Sequence, residues 1–348
     1  MPIRLVDREP EVSAGDLIAG LVPPPLFASV SFDTYRPDPG EPTQLAAVST
    51  LKEFGTELAR PASRGGLFRR VPSRVSPGVY LDGGFGVGKT HLLASLWHAA
   101  PGPKAYATFV ELTHLAGALG FTGLVDALAP VRLLAIDEFE LDDPGDTVLV
   151  STLLARLGER GVALAATSNT LPDRLGEDRF ATEDFLREIQ ALAARFRTIR
   201  VDGPDYRHRG LARAPQPLTD DEVRQRAAVA FGASLDDFER LVTHLSRLHP
   251  SRYGALVDGV RAVHLLGVMP AADQSVALRL VVLADRLYDR QVALVSSGTP
   301  LDQLFDESML AGGYRKKYRR AISRLVALSR LGSPGIPGDG DGDGGDDG

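Results

Sequence analysis

The 348-residue chain contains no cysteine. That excludes a disulfide framework and any cysteine-ligated metal centre, and it fits a reducing cytosol. No uninterrupted apolar run approaches the ~18–20 residues of a membrane span. The opening stretch, MPIRLVDREPEVSAGDL, is charged throughout and offers no apolar centre for a secretion signal. A strong charge of one sign is also missing. The net charge is -6, but five aspartates lie in the closing SPGIPGDGDGDGGDDG. Without them, 39 basic side chains face 40 acidic ones, so global charge does not point to nucleic acid. Asp339, Asp341, Asp343 and Gly344 imitate the start of a calcium loop, but the bidentate glutamate of its twelfth position does not follow. Residues 333–348 therefore read as a disordered acidic tail.

What is present is globular: 44% apolar and 24% charged. The length suggests two domains. Residues 1–76 are rich in turns and proline, with one helical spacing over 44–58. A regular alternation follows. Strands are expected over 78–83, 105–112, 132–139, 161–169 and 196–203, with helices over 89–100, 114–128, 146–159 and 182–195. Five such alternations imply an α/β fold: a parallel five-stranded sheet with helices on both faces, binding its ligand at the carboxyl ends of the strands. Past Pro204 the spacing becomes mainly helical, over 219–231, 235–248, 275–295 and 314–331. The HLLGVMP and VALVSSG stretches are open to either strand or turn. The expected division is 1–76 as an extension packing near the nucleotide site, 77–204 as the core, 205–332 as a mainly helical lid domain, and 333–348 as the tail.

The chemistry begins at Gly83-Gly84-Phe85-Gly86-Val87-Gly88-Lys89-Thr90, which fits G-x-x-x-x-G-K-[ST] without a mismatch, between a strand and a helix. Its glycines let successive N–H groups face phosphates, and the following helix adds its positive end. Lys89 is placed to reach the β and γ phosphates of ATP, and the Thr90 hydroxyl to bind Mg²⁺. Asp137 and Glu138 end the third strand. An aspartate there can hold Mg²⁺, and a glutamate beside it can polarise the attacking water, which favours hydrolysis over binding alone. Asn169 ends the fourth strand. It would lie between the two motif-bearing strands, where it can position the water or sense the γ-phosphate, as at the sensor-1 position of AAA+ proteins. An arginine is also needed to stabilise transition-state charge. Arg174, Arg179, Arg187 and Arg195 are available, and Arg179 is preferred. Phe32-Asp33-Thr34-Tyr35 is a candidate for packing beside adenine.

The order of these motifs, with the sequences around them, resembles the ZapE family of bacterial AAA+ ATPases associated with cell division and related to a mitochondrial ATPase. The resemblance is carried by Leu133–Phe139, by Ala165–Asn169 with Pro172 and Leu175, and by Val201-Asp202 with Asp205-Tyr206-Arg207. In the second domain it is carried by Ala277–Leu280, Leu287-Tyr288, 292–305, and the closing helix around Tyr318 and Ile322–Leu325. It implies an ATPase that acts on the division ring and lowers the stability of FtsZ polymers. It implies a homo-oligomer, such as a hexamer, and a cytoplasmic location, peripheral at the division site. It also implies a lid arginine at the γ-phosphate, for which Arg279 is the candidate and Arg324 the runner-up. One departure concerns the arginine finger. The family's Gln-Arg pair precedes a Phe-x-Pro-x-Ile segment. Here Phe185–Ile189 takes the segment's place, with Arg187 where proline is usual, and the pair falls at Ala181-Thr182.

The run Tyr314–Arg320 is densely basic with interleaved tyrosines, a pattern that suits single-stranded nucleic acid. Tyr318, Ile322, Leu325 and Val326 nevertheless share one helical face, as in an ordinary amphipathic helix. Two alternatives therefore stand beside the division ATPase: a helicase-loader-like ATPase on DNA, and a slow ATP-dependent adaptor.

Overall fold

The computed structural model describes residues 2–60, 78–84, 86–141, 144–172, 175, 186–204 and 213–332. The chain divides into two compact units, residues 11–210 and residues 1–10 with 211–348.

The first unit is built on five strands: β1 (Gly78–Asp82), β2 (Lys104–Thr108), β3 (Leu133–Asp137), β4 (Ala163–Ser168) and β5 (Phe196–Arg200). All are parallel, in the order β2-β3-β4-β1-β5. Around them lie α1 (Ala14–Ala19), α2 (Pro42–Ala59), α3 (Lys89–Ala99), α4 (Phe109–Leu119), α5 (Phe121–Leu128), α6 (Pro144–Glu159) and α7 (Leu186–Ala193). Strand side chains alternate between the two faces. Val79, Leu81, Leu133, Ala135 and Ala165 pack with Leu51 of α2 and Leu92 and Leu96 of α3. Tyr80, Leu134, Ile136, Leu164 and Ala166 pack with Leu112, Leu124, Leu153 and Leu192 of α4 to α7. Both faces are covered, which is why β1, β3 and β4 are buried along their whole length and apolar up to their carboxyl ends. This is the α/β P-loop architecture of AAA+ proteins expected from the sequence, with β4 inserted between β1 and β3.

Two departures from the expected boundaries have a clear local cause. The second strand ends at Thr108, not at residue 112. Thr108 Oγ1 accepts from Glu111 N at 3.2 Å and Glu111 Oε2 accepts from Thr108 N at 2.7 Å. This capping box starts α4 at Phe109 and overrides the strand-like composition of the segment. The helix expected over 114–128 is two helices, separated at Gly120, whose φ of 71° few other residues adopt.

The second unit is helical in its larger part, with α8 (Asp220–Val229), α9 (Phe238–Arg247), α10 (Tyr253–Leu256), α11 (Gln274–Asp289), α12 (Glu307–Ala311) and α13 (Arg315–Leu331). It also contains a parallel sheet in the order β6-β7-β8: β6 (Ala233–Asp237), β7 (Ala262–Val268) and β8 (Ala293–Gly298). The two stretches left open by the sequence are β7 and β8. Residues 235–237, expected as the start of a helix, belong to β6, and Asp237 then caps α9 by accepting from Arg240 N at 3.0 Å. The N-terminal residues join this unit too. Ile3 N donates to Ala233 O at 2.8 Å and Leu235 N to Ile3 O at 2.9 Å, extending the sheet past β6. The first ten residues are thus part of the C-terminal unit, unlike the rest of the 1–76 extension. Its core joins Leu241, Leu245, Val263, Leu280, Leu283, Tyr318 and Leu325. The Asp285 carboxylate, on α11, bonds Arg324 and, at 3.2 Å, Arg320, both on α13. Arg320 is therefore held inside this unit, and Tyr318 is buried, as the amphipathic reading of the basic run requires. Among the described residues no helix is long and apolar enough to cross a membrane.

Candidate nucleotide site

Lys89, Thr90, Asp137 and Asn169, singled out from the sequence, lie together at the carboxyl edge of the first unit's sheet. Gly83 follows β1 directly and lies against the exit of β5. A Cβ added there would stand 2.1 Å from Val201 O, so only glycine fits. Gly86 and Gly88 have φ of 84° and 87°, in the left-handed region that favours glycine. Gly84 has open space around it, and Val87 is buried against Gly203. Phe85 lies outside the described residues. The loop's far side rests on Tyr35, whose hydroxyl donates to Val87 O at 2.9 Å and whose ring edge would meet a Cβ on Gly88. Tyr35 also packs edge-on to His91 at a ring-centroid distance of 5.5 Å. Tyr35 thus braces the loop from beneath. At the base, Asp82 and Arg200 form an ion pair, and Arg200 Nε donates to Asp202 at 2.7 Å, tying the ends of β1 and β5.

Lys89 opens α3 and is buried. Its ammonium donates to Gly83 O at 2.8 Å, to Gly84 O, and to Asn169 Oδ1 at 2.8 Å. Asn169 therefore lies where the inserted β4 carries it, between the loop and β3. Its Nδ2 donates to Glu140 Oε1 at 3.3 Å. The Thr90 hydroxyl donates to Asp137 Oδ1 at 3.3 Å. Tyr106 donates to Asp137 Oδ2 at 2.9 Å, and Thr167 donates to Asp137 Oδ1. Burial, and then the negative charge of Asp137, hold the Tyr106 hydroxyl well above the usual tyrosine range, so it remains a donor. Glu138 has φ of 52°, an unfavourable conformation for a non-glycine residue, costing about 1–2 kcal/mol.

These groups fit a nucleoside triphosphate and a hard cation. The loop offers left-handed glycine backbone at Gly86 and Gly88, a lysine already turned to its carbonyls, and an adjacent hydroxyl–carboxylate pair of the oxygen donors that Mg²⁺ prefers. Among the described residues no cluster of three or more His, Asp or Glu side chains could hold a metal alone. A cation here would need phosphate oxygens and water to complete its shell.

A family model described as AFG1-like ATPase matches residues 12–226 and 211–331, nearly the whole described chain. The chain belongs to the AFG1-like ATPase family. Among curated proteins, the cell division protein ZapE of Escherichia coli K12 is 28% identical over 354 residues, covering 85% of this chain and 92% of that protein. An uncharacterised protein of Schizosaccharomyces pombe is 29% identical over 182 residues, 47% of this chain and 39% of that one. Among solved structures, DnaI matches 51% of this chain and 94% of its own at 20% identity and a TM-score of 0.39. AMPPCP-bound DnaA from Aquifex aeolicus matches 50% of each chain at 14% identity and a TM-score of 0.37. The AFG1-like assignment agrees with the ZapE resemblance read from the motifs.

The arginines are less gathered than the loop. Arg174 and the preferred finger, Arg179, lie outside the described residues, as does the Ala181-Thr182 position. Arg187 is exposed on α7, and Arg195 precedes β5. In the second unit of this AFG1-like chain, Arg279 donates to Leu245 O at 3.1 Å, and Arg324 is engaged by Asp285. Both lid candidates are thus held by their own unit. The sequence reading missed Tyr106, Thr167, Tyr35's bond to Val87, and Glu140. Strand periodicity held a usable signal for one of them, Thr167. Asp137 and Thr167 lie two residues beyond Ala135 and Ala165, so they share the face that packs against α3.

Proposed function

We propose that this AFG1-like ATPase hydrolyses ATP in a Mg²⁺-dependent reaction and uses the cycle to remodel a protein partner. The observation that carries the reading is the convergence of Lys89, Asn169, Thr90 and Asp137 on one loop. Lys89 leaves the Gly83 and Gly84 carbonyls for phosphate oxygens. Thr90 and Asp137 would hold Mg²⁺, which would supply positive charge against the charge developing on the phosphates. Glu138 polarises the attacking water, and Asn169 orients it. The remaining charge is met by an arginine, Arg179 or a neighbour of it, supplied across a contact between copies of the chain in a homo-oligomer. Arg279 is the proposed lid arginine.

The similarity to the cell division protein ZapE supports a role in cell division; the family resemblance read from the motifs points further, to FtsZ polymers as the substrate and a cytoplasmic location peripheral at the division site. Phosphate release by Lys89→Ala tests the first claim. Turnover should be abolished with the melting temperature retained; unchanged turnover would falsify the ATPase reading. Sedimentation of FtsZ polymers with the protein and ATP tests the second. Less polymer should pellet than without ATP, and equal pellets exclude the division ring as substrate.

A further inference from the structure

We infer that Thr167 is a positioning residue for the acidic pair, fixing the Asp137 carboxylate and the Glu138 backbone through a single hydroxyl. The inference rests on the reading of Asp137 and Glu138 given above.

The Thr167 side chain is buried at the end of β4, beside the end of β3. Its Oγ1 has one proton, which it donates to Asp137 Oδ1. A lone pair on the same oxygen accepts from Glu138 N at 3.1 Å. The backbone carbonyl of Thr167 accepts from Phe139 N at 2.7 Å, and the Phe139 ring is fully buried below. Three consecutive residues, 137, 138 and 139, are therefore all fastened to one residue of the neighbouring strand. The middle one is Glu138, with its left-handed φ of 52°. Such a conformation persists only where its surroundings over-determine it, and the bond to Thr167 supplies part of that determination. Tyr106 holds the other Asp137 oxygen at 2.9 Å. The carboxylate rotamer is thus set from both sides, with Oδ1 turned to Thr90.

The donor and acceptor roles make the arrangement specific. Valine has the shape of threonine but neither donates nor accepts, so Thr167→Val releases Asp137 and Glu138 together. Serine keeps the hydroxyl and loses only a methyl group. A residue valued for packing would behave in the opposite way, tolerating valine better than serine.

The test uses the full chain with Thr167→Val, Thr167→Ser and Lys89→Ala. Steady-state phosphate release gives kcat and KM. Binding of a fluorescent ATP analogue is titrated with Mg²⁺ and with chelator, and each variant is melted. Thr167→Val is expected to lower kcat by about 10- to 100-fold and to weaken Mg²⁺-dependent analogue binding, since removal of groups that orient metal ligands has effects of that order. Binding in chelator should stay within about twofold of wild type, and Thr167→Ser should recover most of the lost kcat. If Thr167→Val fails to melt cooperatively, Thr167→Ala, which removes the hydroxyl without a bulky replacement, is read the same way. The inference is overturned if the hydroxyl-free variant keeps wild-type kcat, or if Thr167→Ser is as impaired as Thr167→Val. A Lys89→Ala protein that still turns over overturns the underlying ATPase reading instead. An inactive Lys89→Ala beside a normal Thr167→Val overturns only the role of Thr167.

Discussion

Gly83 and Gly84 are chemically identical neighbours in the phosphate loop, yet a methyl group should have opposite consequences at the two positions. At Gly83 an added Cβ would stand 2.1 Å from Val201 O and 3.1 Å from its carbonyl carbon. Ordinary C···O contacts sit at roughly 3.3–3.6 Å, so the carbonyl would have to retreat by about 1.2 Å. It cannot do so alone. Val201 is fully buried, and its N–H donates to Asp82 O at 2.8 Å, locking the exit of β5 to β1. Forcing a methyl into a packed site costs about 1–3 kcal/mol, and the backbone obstacle argues for the upper part of that range. For a unit of this size each kcal/mol lowers the melting temperature by roughly 2–4 °C, so Gly83→Ala should melt about 5–10 °C below wild type. At Gly84 no heavy atom lies within 4 Å of the added Cβ, and φ is not in the left-handed region. Gly84→Ala should be neutral, or gain up to about 1 kcal/mol from a stiffer unfolded chain. Differential scanning calorimetry of both variants decides the matter, with analogue binding as a second readout that Gly83→Ala should weaken. Equal melting temperatures for the two variants would refute the reasoning.

The remaining predictions concern the supports around the site and the second unit. Asp285, about a fifth exposed, is flanked by Arg320 and Arg324. Asp285→Ala should destabilise by about 3 kcal/mol, the low end for breaking a buried pair, seen as a lower urea midpoint. Burial alone would raise the Asp285 carboxyl, but the charges of Arg324 and Arg320 outweigh it and hold the group below its ordinary value of 3.8. Its stabilising contribution is therefore fully present above pH 3.8 and lost as pH falls through the depressed native value. The stability of Asp285→Asn should fall less steeply than wild type across that acid range. Tyr35→Phe removes the half-buried bond to Val87 O and keeps the ring under Gly88. It should cost about 0.5–1.5 kcal/mol in melting experiments and leave analogue affinity nearly unchanged.

Most of the first unit was legible because its signals are local. An apolar run followed by G-x-x-x-x-G-K-T fixes a strand, a loop and a helix within a dozen residues, and the Asp137-Glu138 pair ends another apolar run. Errors arose where two local signals competed. Ala105–Leu112 has strand composition, but Thr108 and Glu111 satisfy each other's backbone and start a helix. The C-terminal strands were ambiguous because each is short and lies between helices, so a seven-residue apolar segment such as Ala262–Val268 fits either state. The docking of Ile3 beside β6 was beyond reach, because it pairs residues separated by more than two hundred positions and carries no motif. Tyr106 was hidden for a related reason. On its own strand it is one aromatic among alanines, and its meaning comes from Asp137 on the next strand.

The strand order gives Asn169 a constraint that its position alone does not. Neighbouring strands lie ≈ 4.7–4.9 Å apart, so β4 separates the loop-bearing β1 from the acidic end of β3 by about twice that distance. The gap is occupied by a neutral side chain, and the Lys89 ammonium meets an amide oxygen there at 2.8 Å. The amide has one orientation available. A carboxylate only accepts, so the NH₂ group must face Glu140, leaving the oxygen for Lys89. In that orientation one Nδ2 hydrogen goes to Glu140 and the oxygen to Lys89, which leaves the second Nδ2 hydrogen as the donor that can reach a phosphate oxygen. Lys89 must give up Oδ1 as it turns to the same phosphates. Glu140 and Lys89 both bond one planar group, so a rotation of the amide changes both contacts together.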